Sequence, residues 1–327
     1  MNESRPRVFI QEVAPRDGLQ NEARFVDTDA KIALLDELGA CGFAKIEVTS
    51  FTSPRAIPAL RDAEEVMHRI RRAPGVVYTA LVPNLRGVER ALSCHVDEAN
   101  LVMSVSESHN RTNLRMTREQ SFDQLRRVIE AVKSHSDATR PVAINVSLST
   151  AFGCPMEGDI ETDEVLRWVA RFTALGVHGI TLCDTTGMAY PRQVRSVCEA
   201  ARDAVGALPL TLHFHNTRGM ALANTLAALD AGIDRFDASL GGLGGCPYAP
   251  GATGNTCTED LVHMLELNGY DTGVDLRRAT RAAAALPALI GHDVPSQLVK
   301  AGQRLDLHPM PDLDEHGIPR QRPLNAA

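Results

Sequence analysis

Eight short runs rich in Val, Ile, Leu and Thr alternate with helical patterns along the chain, and they predict an α/β fold of the (β/α)8 or TIM-barrel type. These runs recur roughly every thirty residues, the repeat expected for a barrel of about 250 residues. A doubly wound open sheet is the alternative. Such a sheet usually carries a glycine fingerprint after its first strand, and "APRDGLQ" is not one. The pattern therefore predicts one barrel, residues 1–270, within a chain of 327 residues.

The predicted strands are the β-branched and aliphatic runs, and they cover 8–14, 44–50, 76–82, 98–106, 142–149, 178–184, 209–215 and 233–240. The predicted helices carry an apolar stripe, and they include 87–94, 117–133, 161–175, 192–205, 221–232 and 257–269. Thr117 and Gln120 predict a capping box at the start of one helix. Trp168, the single tryptophan, falls on an apolar stripe and indicates packing.

Beyond residue 270 the composition changes. Residues 271–303 are Ala-rich with a helical pattern, and they predict an appended helical segment. Residues 304–327 are rich in Pro and charge, which predicts a poorly ordered tail.

The charge and composition indicate the class of protein. A net charge of −7 without runs of like charge argues against a nucleic-acid or anionic-membrane partner. No stretch approaches the length of a membrane span, and the first residues lack the apolar stretch of a secretory signal. The seven cysteines show no paired spacing, which indicates reduced thiols. We therefore predict a cytoplasmic enzyme of small molecules.

Polar and reactive residues fall at the carboxyl end of every predicted strand, where barrel enzymes place their chemistry. From the first strand to the last, these are Arg16 and Asp17, Glu47, Asn84, the predicted loop 106–113, the segment 150–155, Asp184, His213 and His215, and the glycine-rich segment 241–255. An ordinary barrel does not require such agreement at one end.

His213 and His215 are two residues apart on one predicted strand, so both side chains point the same way. The apolar Leu212 and Phe214 should face the helices, which turns both imidazoles into the barrel. Such a pair binds a metal or forms hydrogen-bonded core histidines, and the position opposite Asp17 favours the metal. Nitrogen and oxygen ligands favour Mn²⁺ or Mg²⁺, and the absence of C-x₂-C spacing argues against a structural zinc.

Glu47 shares its predicted strand face with Lys45 and Thr49, and this face points into the barrel. A carboxylate in that position needs a partner, and Arg16 on the neighbouring strand end is available. The pair has either a structural or a catalytic role.

The segment 241–255, "GGLGGCPYAPGATGN", is rich in glycine but is not a P-loop. Flexible linkers rarely cluster Cys, Tyr and Pro in this way. The segment therefore predicts a mobile lid that presents Cys246 to the site.

Five stretches together carry a specific resemblance: "EVAPRDGLQNE", "IEVTSF", "AFGCPMEGD", the H-x-H strand and "GLGGCPYAPGATGN…TEDLVHML". From about residue 7 to 270 the chain resembles the 3-hydroxy-3-methylglutaryl-CoA lyases, metal-dependent (β/α)8 enzymes grouped with the isopropylmalate-synthase-like proteins. The resemblance implies retro-Claisen cleavage of that acyl-CoA, or a close 3-hydroxy-3-alkyl relative, to acetyl-CoA and a 3-keto acid. It also implies an Mg²⁺ or Mn²⁺ cofactor and a homodimer.

The resemblance further implies a role for each site residue. The implied metal ligands are Asp17, His213, His215 and Asn255, with Glu259 behind them. The implied catalytic residues are Arg16, which neutralises the enolate oxygen, Cys246 as the general acid–base, and Glu47 and Asp184, which support and orient the substrate. The implied substrate-binding residues are Arg16, Asn84, His109 and Asn113. Gly18 is expected to let the backbone turn tightly enough for Arg16 and Asp17 to act together.

Some positions depart from the animal-type pattern, notably "SESHNRTNLRMT", "CDTTGMAYP" and Cys257. His109 either contacts a substrate carboxylate or caps a loop. These departures leave the acyl group open, with citramalyl-CoA or a longer 3-hydroxyglutaryl-CoA as alternatives. A Claisen-condensing enzyme and a non-catalytic acyl-CoA-binding relative are the other hypotheses.

Overall fold

Eight parallel strands form a closed barrel in sequence order, and the first strand pairs with the last. The computed structural model describes residues 5–135, 141–245 and 254–307, together with 309, 310, 316 and 318. The strands are β1 Phe9–Glu12, β2 Lys45–Ser50, β3 Val77–Leu81, β4 Glu98–Ser104, β5 Ala143–Ser149, β6 Gly179–Asp184, β7 Leu210–Phe214 and β8 Arg235–Ala238. The predicted TIM barrel is confirmed.

Helices surround the strands and cover the outer face of the barrel. They are α1 Thr28–Gly39, α2 Ala63–Arg69, α3 Leu85–Ser93, α4 Glu107–Leu114, α5 Arg118–His135, α6 Thr162–Ala174, α7 Pro191–Val205, α8 Ala221–Asp230, α9 Thr258–Leu267, α10 Leu276–Ile290 and α11 Gln297–Ala301. Trp168 is fully buried on α6, and its ring centroid lies 5.9 Å from that of Phe122. Every helix within the described ranges is too short or too polar to cross a membrane.

The capping box before α5 is confirmed, because Thr117 and Gln120 exchange backbone-to-side-chain hydrogen bonds of 2.9 and 3.1 Å.

The prediction of a loop at 106–113 was wrong, because most of it forms α4. Ser106 caps this helix by accepting a hydrogen bond from the backbone N–H of His109. The helix is polar on most faces, so it has no apolar stripe to reveal it.

The first strand ends at Glu12, and Ala14–Gly18 form a single turn of π-helix that carries Arg16 and Asp17. Gly18 does not adopt a left-handed conformation. A Cβ at this position would lie 2.9 Å from Cβ of Leu243. The glycine is thus required for close approach to the glycine-rich segment, which corrects the expectation of a tight backbone turn.

The interior of the barrel is polar near its floor. The Lys45 ammonium lies 2.6 Å from the Glu98 carboxylate, and the Gln11 amide donates to the Thr211 hydroxyl at 3.0 Å. Glu47 pairs with the inward-facing Thr79, but the register then shifts, so Thr49 pairs with Ala80 and not with the inward-facing Leu81. The prediction that Thr49 shares the face of Glu47 was therefore wrong.

The segment predicted as appended is helical where it forms α10 and α11. The buried side chains of α10 pack on the barrel, and a Cβ at Gly241 would lie 2.9 Å from the δ-carbon of Leu286. This segment therefore supports the base of the glycine-rich loop. The tail prediction falls mostly outside the described residues.

Candidate active site at the carboxyl end of the barrel

Asp17, His213 and His215 meet at the carboxyl end of the barrel. One potential ligand atom from each residue lies within 4.8 Å of the other two. Asp17 comes from the turn after β1, His213 from β7, and His215 directly follows β7. The two imidazole centroids are 4.9 Å apart, close enough for both rings to bind one divalent ion.

Asn255 completes this group. Its amide nitrogen donates to Oδ2 of Asp17 at 2.7 Å and to the carbonyl of Leu243 at 2.9 Å. Its Oδ1 and the Nδ1 of His215 are buried without a hydrogen-bond partner among the described residues. A buried polar atom without a partner is costly, and a metal ion or an ordered ligand would satisfy it. These residues fit a divalent cation.

Asp237 on β8 is a site residue that the sequence reasoning missed. Its carboxylate lies 2.6 Å from Nδ1 of His213, an arrangement that fixes the ring and leaves the other nitrogen facing the site. Burial opposes protonation, but Asp237 and then Asp17 raise the pKa of His213 to about 9. Burial and the neighbouring His213 lower the pKa of His215 to about 3. Side chains alternate between the two faces of a strand, so the sequence of β8 could have shown that Asp237 points into the barrel.

Arg16 is held between two carboxylates. Its Nε donates to Oε2 of Glu47 at 2.6 Å, and one terminal nitrogen donates to Oδ1 of Asp17 at 2.8 Å. Burial opposes ionisation of Asp17, yet Arg16 and the two histidines lower its pKa to about 2. Burial raises the pKa of Glu47, opposed by Arg16 and by a hydrogen bond from Asn100. The predicted pairing of Arg16 with Glu47 is present.

A cavity of about 590 Å³ opens at this end of the barrel and joins the charged group to the predicted substrate contacts. Among its lining residues are Arg16, Asp17, His213, His215, Asn84, His109 and Asn113. The Asn84 side chain also caps α3, where it accepts from the N–H of Gly87. The Nδ1 of His109 lies 2.7 Å from the Ser104 hydroxyl, which fixes the ring at the cavity wall.

Asp184 is not among the described residues that line this cavity. Its Oδ1 accepts hydrogen bonds from the backbone of Met188 at 2.7 Å and Ala189 at 3.1 Å. Burial raises its pKa to about 6, opposed by those hydrogen bonds. The neighbouring Cys183 pairs with His213 across the strands and faces the cavity in its place. These hydrogen bonds hold the loop after β6, and the predicted role of Asp184 in orienting the substrate stays a prediction.

Glu259 is expected behind the metal ligands, and that role stays a prediction. Its Oε2 accepts from the N–H of Gly241 at 3.1 Å, and the buried Glu12 accepts from the N–H of Leu240 at 2.9 Å. Burial raises the pKa of Glu259 to about 7 and that of Glu12 to about 8. These two carboxylates anchor the base of the glycine-rich segment.

Cys246 lies outside the described residues, so its predicted role stays a prediction. The two ends of its segment lie close together, because a Cβ at Gly254 would be only 1.8 Å from the carbonyl oxygen of Gly244. The six described cysteines are all buried.

A model of the HMGL-like protein family matches residues 7–286. The chain is 45% identical over 291 residues to the hydroxymethylglutaryl-CoA lyase YngG of Bacillus subtilis, covering 89% of this chain and 96% of that protein. It is 39% identical over 299 residues to the mitochondrial hydroxymethylglutaryl-CoA lyase of Homo sapiens, covering 91% and 90%.

The chain belongs to the HMGL-like family.

One solved structure similar to this chain is the HMG-CoA lyase of Acinetobacter baumannii in complex with coenzyme A and 3-methylmalate. It superposes with a TM-score of 0.89 at 50% identity, covering 93% of this chain and 98% of that one. The carboxyl transferase domain of Rhizobium etli pyruvate carboxylase superposes with a TM-score of 0.68 at 20% identity, which shows a shared fold alone. The HMGL-like barrel is therefore common to this chain and to proteins named as lyases.

Proposed function

We propose that the protein is a metal-dependent carbon–carbon lyase that cleaves 3-hydroxy-3-methylglutaryl-CoA to acetyl-CoA and acetoacetate. The observation that carries this proposal is the position of Arg16, fixed by Glu47 at 2.6 Å and by Asp17 at 2.8 Å beside two histidines in one cavity. Curated relatives named as this lyase, at 38–45% identity over about nine-tenths of the chain, support the substrate.

The reaction breaks the bond between C2 and C3 of the acyl group. The 3-hydroxyl loses its proton and becomes the ketone of acetoacetate, while the bonding electron pair moves onto the thioester as an enolate. Arg16 is charged and cannot move away from its two carboxylates, so it stabilises the enolate oxygen without reorganisation. The enolate carbon then accepts a proton to give acetyl-CoA.

We assign both proton transfers to Cys246, as the resemblance implies: its thiolate accepts the proton of the 3-hydroxyl, and the resulting thiol returns it to the enolate carbon. A thiol near a cationic group is a suitable proton carrier at neutral pH. His109, Asn113 and Asn84 contribute the cavity wall that holds the rest of the acyl-CoA.

The residues that would hold the divalent cation are Asp17, His213, His215 and, through Oδ1, Asn255. When bound, the cation supplies a Lewis acid that lowers the pKa of the 3-hydroxyl. A ligand set of nitrogen and hard oxygen atoms favours Mg²⁺ or Mn²⁺. A homodimer remains an expectation from the resemblance, and light scattering after size exclusion tests it.

A different acyl group is the second candidate. The Acinetobacter relative holds coenzyme A and 3-methylmalate, a smaller branched hydroxy diacid than the proposed substrate acid. The site that recognises the acyl carboxylate therefore needs a direct test.

The deciding experiment incubates the purified protein and Mg²⁺ or Mn²⁺ with 3-hydroxy-3-methylglutaryl-CoA, citramalyl-CoA or longer 3-hydroxy-3-alkylglutaryl-CoA esters. Acetyl-CoA and the keto acid are quantified by chromatography. We expect the methylglutaryl ester to have the highest kcat/KM. Preference for another ester would identify that ester as the substrate. Binding without cleavage across the panel would favour a non-catalytic protein. Net condensation from acetyl-CoA and a keto acid would reverse the assigned direction.

A further inference from the structure

Asn100 lies on β4 inside the barrel, directly below the Arg16–Glu47 pair. Its side chain is buried, and its amide nitrogen donates to Oε1 of Glu47 at 2.8 Å. Its Oδ1 accepts from the amide of Asn145 at 3.0 Å and from the hydroxyl of Ser147 at 2.9 Å. The side chains of Asn100, Glu47, Asn145 and Ser147 line one small cavity at this level of the barrel.

These contacts determine the orientation of the Asn100 amide. A flipped amide would place its oxygen against the Glu47 carboxylate, which offers only acceptors while it is ionised. The flip would also place two amide groups donor to donor at Asn145. The nitrogen must therefore face Glu47, and both donors on β5 hold it there.

Glu47 in turn has a separate partner for each oxygen. Oε1 accepts from Asn100, and Oε2 accepts from Nε of Arg16 at 2.6 Å. A carboxylate bound at both oxygens has its plane fixed, and the planar guanidinium follows that plane. The hydrogen bonds run from β5 through Asn100 and Glu47 to Arg16.

We propose that Asn100 is a positioning residue, which fixes the Glu47 carboxylate and thereby aims Arg16 at the reacting thioester. This role rests on the proposed function, because it assigns Arg16 to the enolate oxygen. It extends the site to β4 and β5, the side of the barrel opposite the proposed metal ligands. A residue that acts through another loses its effect when the intermediary is altered, and this distinguishes positioning from general support of the fold.

The matched variants are Asn100→Asp and Glu98→Gln. Asn100→Asp keeps the shape and the acceptor for Asn145 and Ser147, but it removes the donor to Glu47. Glu98→Gln changes a buried residue on the same strand, where the carboxylate binds Lys45 at 2.6 Å and has no hydrogen bond to Glu47 among the described residues. Asn100→Ala tests the same contact without adding a buried charge.

We expect both Asn100 variants to lower kcat by roughly 10- to 100-fold with KM changed less than about threefold, as for a misaimed catalytic group. In a Glu47→Gln background, Asn100→Ala should lower kcat by less than about twofold further. Equal losses in both backgrounds would overturn the proposal. Glu98→Gln should act independently of Glu47→Gln, so that its effect is additive.

The rate at which the Nε–H proton of Arg16 exchanges with solvent can be measured by ¹⁵N NMR, independently of turnover. The signal is assigned by its loss in Arg16→Lys. Asn100→Ala should speed exchange of this proton with solvent by at least about tenfold, since Glu47 is then free to rotate. Glu98→Gln should leave the exchange rate unchanged. Unchanged exchange in a folded Asn100→Ala protein would overturn the proposal. A wild-type protein that leaves the ester intact would instead reject the proposed function, while the NMR comparison still decides whether Asn100 fixes Arg16.

Discussion

Arg16 has two carboxylate partners on different strand ends, and only a planar group with several donors satisfies both. Arg16→Lys keeps the charge but loses this geometry. We expect kcat to fall by at least ~10²-fold, in line with the loss of an oxyanion donor, and KM to change less. Steady-state kinetics measure this, with the exposed Arg24→Lys as the control. A change confined to KM would show that Arg16 only binds substrate.

Asp17 is the proposed metal ligand that also touches Arg16 and Asn255. Chelation should abolish turnover, and Mg²⁺ or Mn²⁺ should restore it. Asp17→Asn should weaken metal binding in calorimetry by at least about tenfold, because it removes an anionic ligand. The exposed Asp29→Asn should bind metal normally. Full activity of the metal-free enzyme would contradict the metal assignment.

Cys246 is predicted to be the most reactive thiol. Burial raises the pKa of the nearby Cys257 well above its usual range, which argues against that residue as the rival. Limited alkylation should therefore label Cys246 first and inactivate the enzyme, and substrate should slow both. Cys246→Ser should keep the fold and lose most turnover, whereas Cys257→Ser should retain it. Near-normal turnover of Cys246→Ser would show that another residue transfers the proton, and His109 would be tested next.

At the scale of elements, the contact between β1 and the start of the glycine-rich segment depends on Glu12. Burial raises its pKa from 4.5 to about 8, against hydrogen bonds from Ala14, Leu240 and Thr258. The folded state thus binds this proton more tightly than the unfolded chain, so its stabilising contribution is complete below about pH 4.5 and is lost as pH rises to about 8. Glu12→Gln should flatten the fall in melting temperature between pH 5 and 8. The same slope in both proteins would contradict this role.

The sequence predicted the elements whose pattern is local. Side chains along each strand alternate with a period of two, and each long helix carries an apolar stripe. These patterns were enough to predict the order of the elements and the barrel that they form. The polar α4 and the register shift at Glu47 were missed, because neither is encoded by hydrophobic spacing. Asp237 and Asn100 were missed for another reason. Each is an ordinary polar residue in a strand, and its importance comes from a partner on a neighbouring strand.

At the scale of the molecule, the chain after the barrel has two parts with different expected contributions. Side chains of α10 are buried against the barrel, while Leu305 and Leu307 are 70% and 86% exposed. A chain ending at residue 303 should therefore melt within about 2 °C of the full protein, whereas one ending at residue 273 should melt at least ~10 °C lower. Scanning calorimetry compares them. Equal melting temperatures would show that α10 is dispensable.

The hydrogen bond between Asp17 and Asn255 joins residues that are 238 positions apart in the chain. At ~5–20 residues per second, a ribosome adds Asn255 about 12–48 s after Asp17. For most of that interval the nascent chain has one of the four proposed ligands, because His213 and His215 are added only with β7 and directly after it. The proposed ion would therefore bind only after most of the barrel has been synthesised. Metal scarcity should then leave newly made protein folded but inactive, and able to bind metal later.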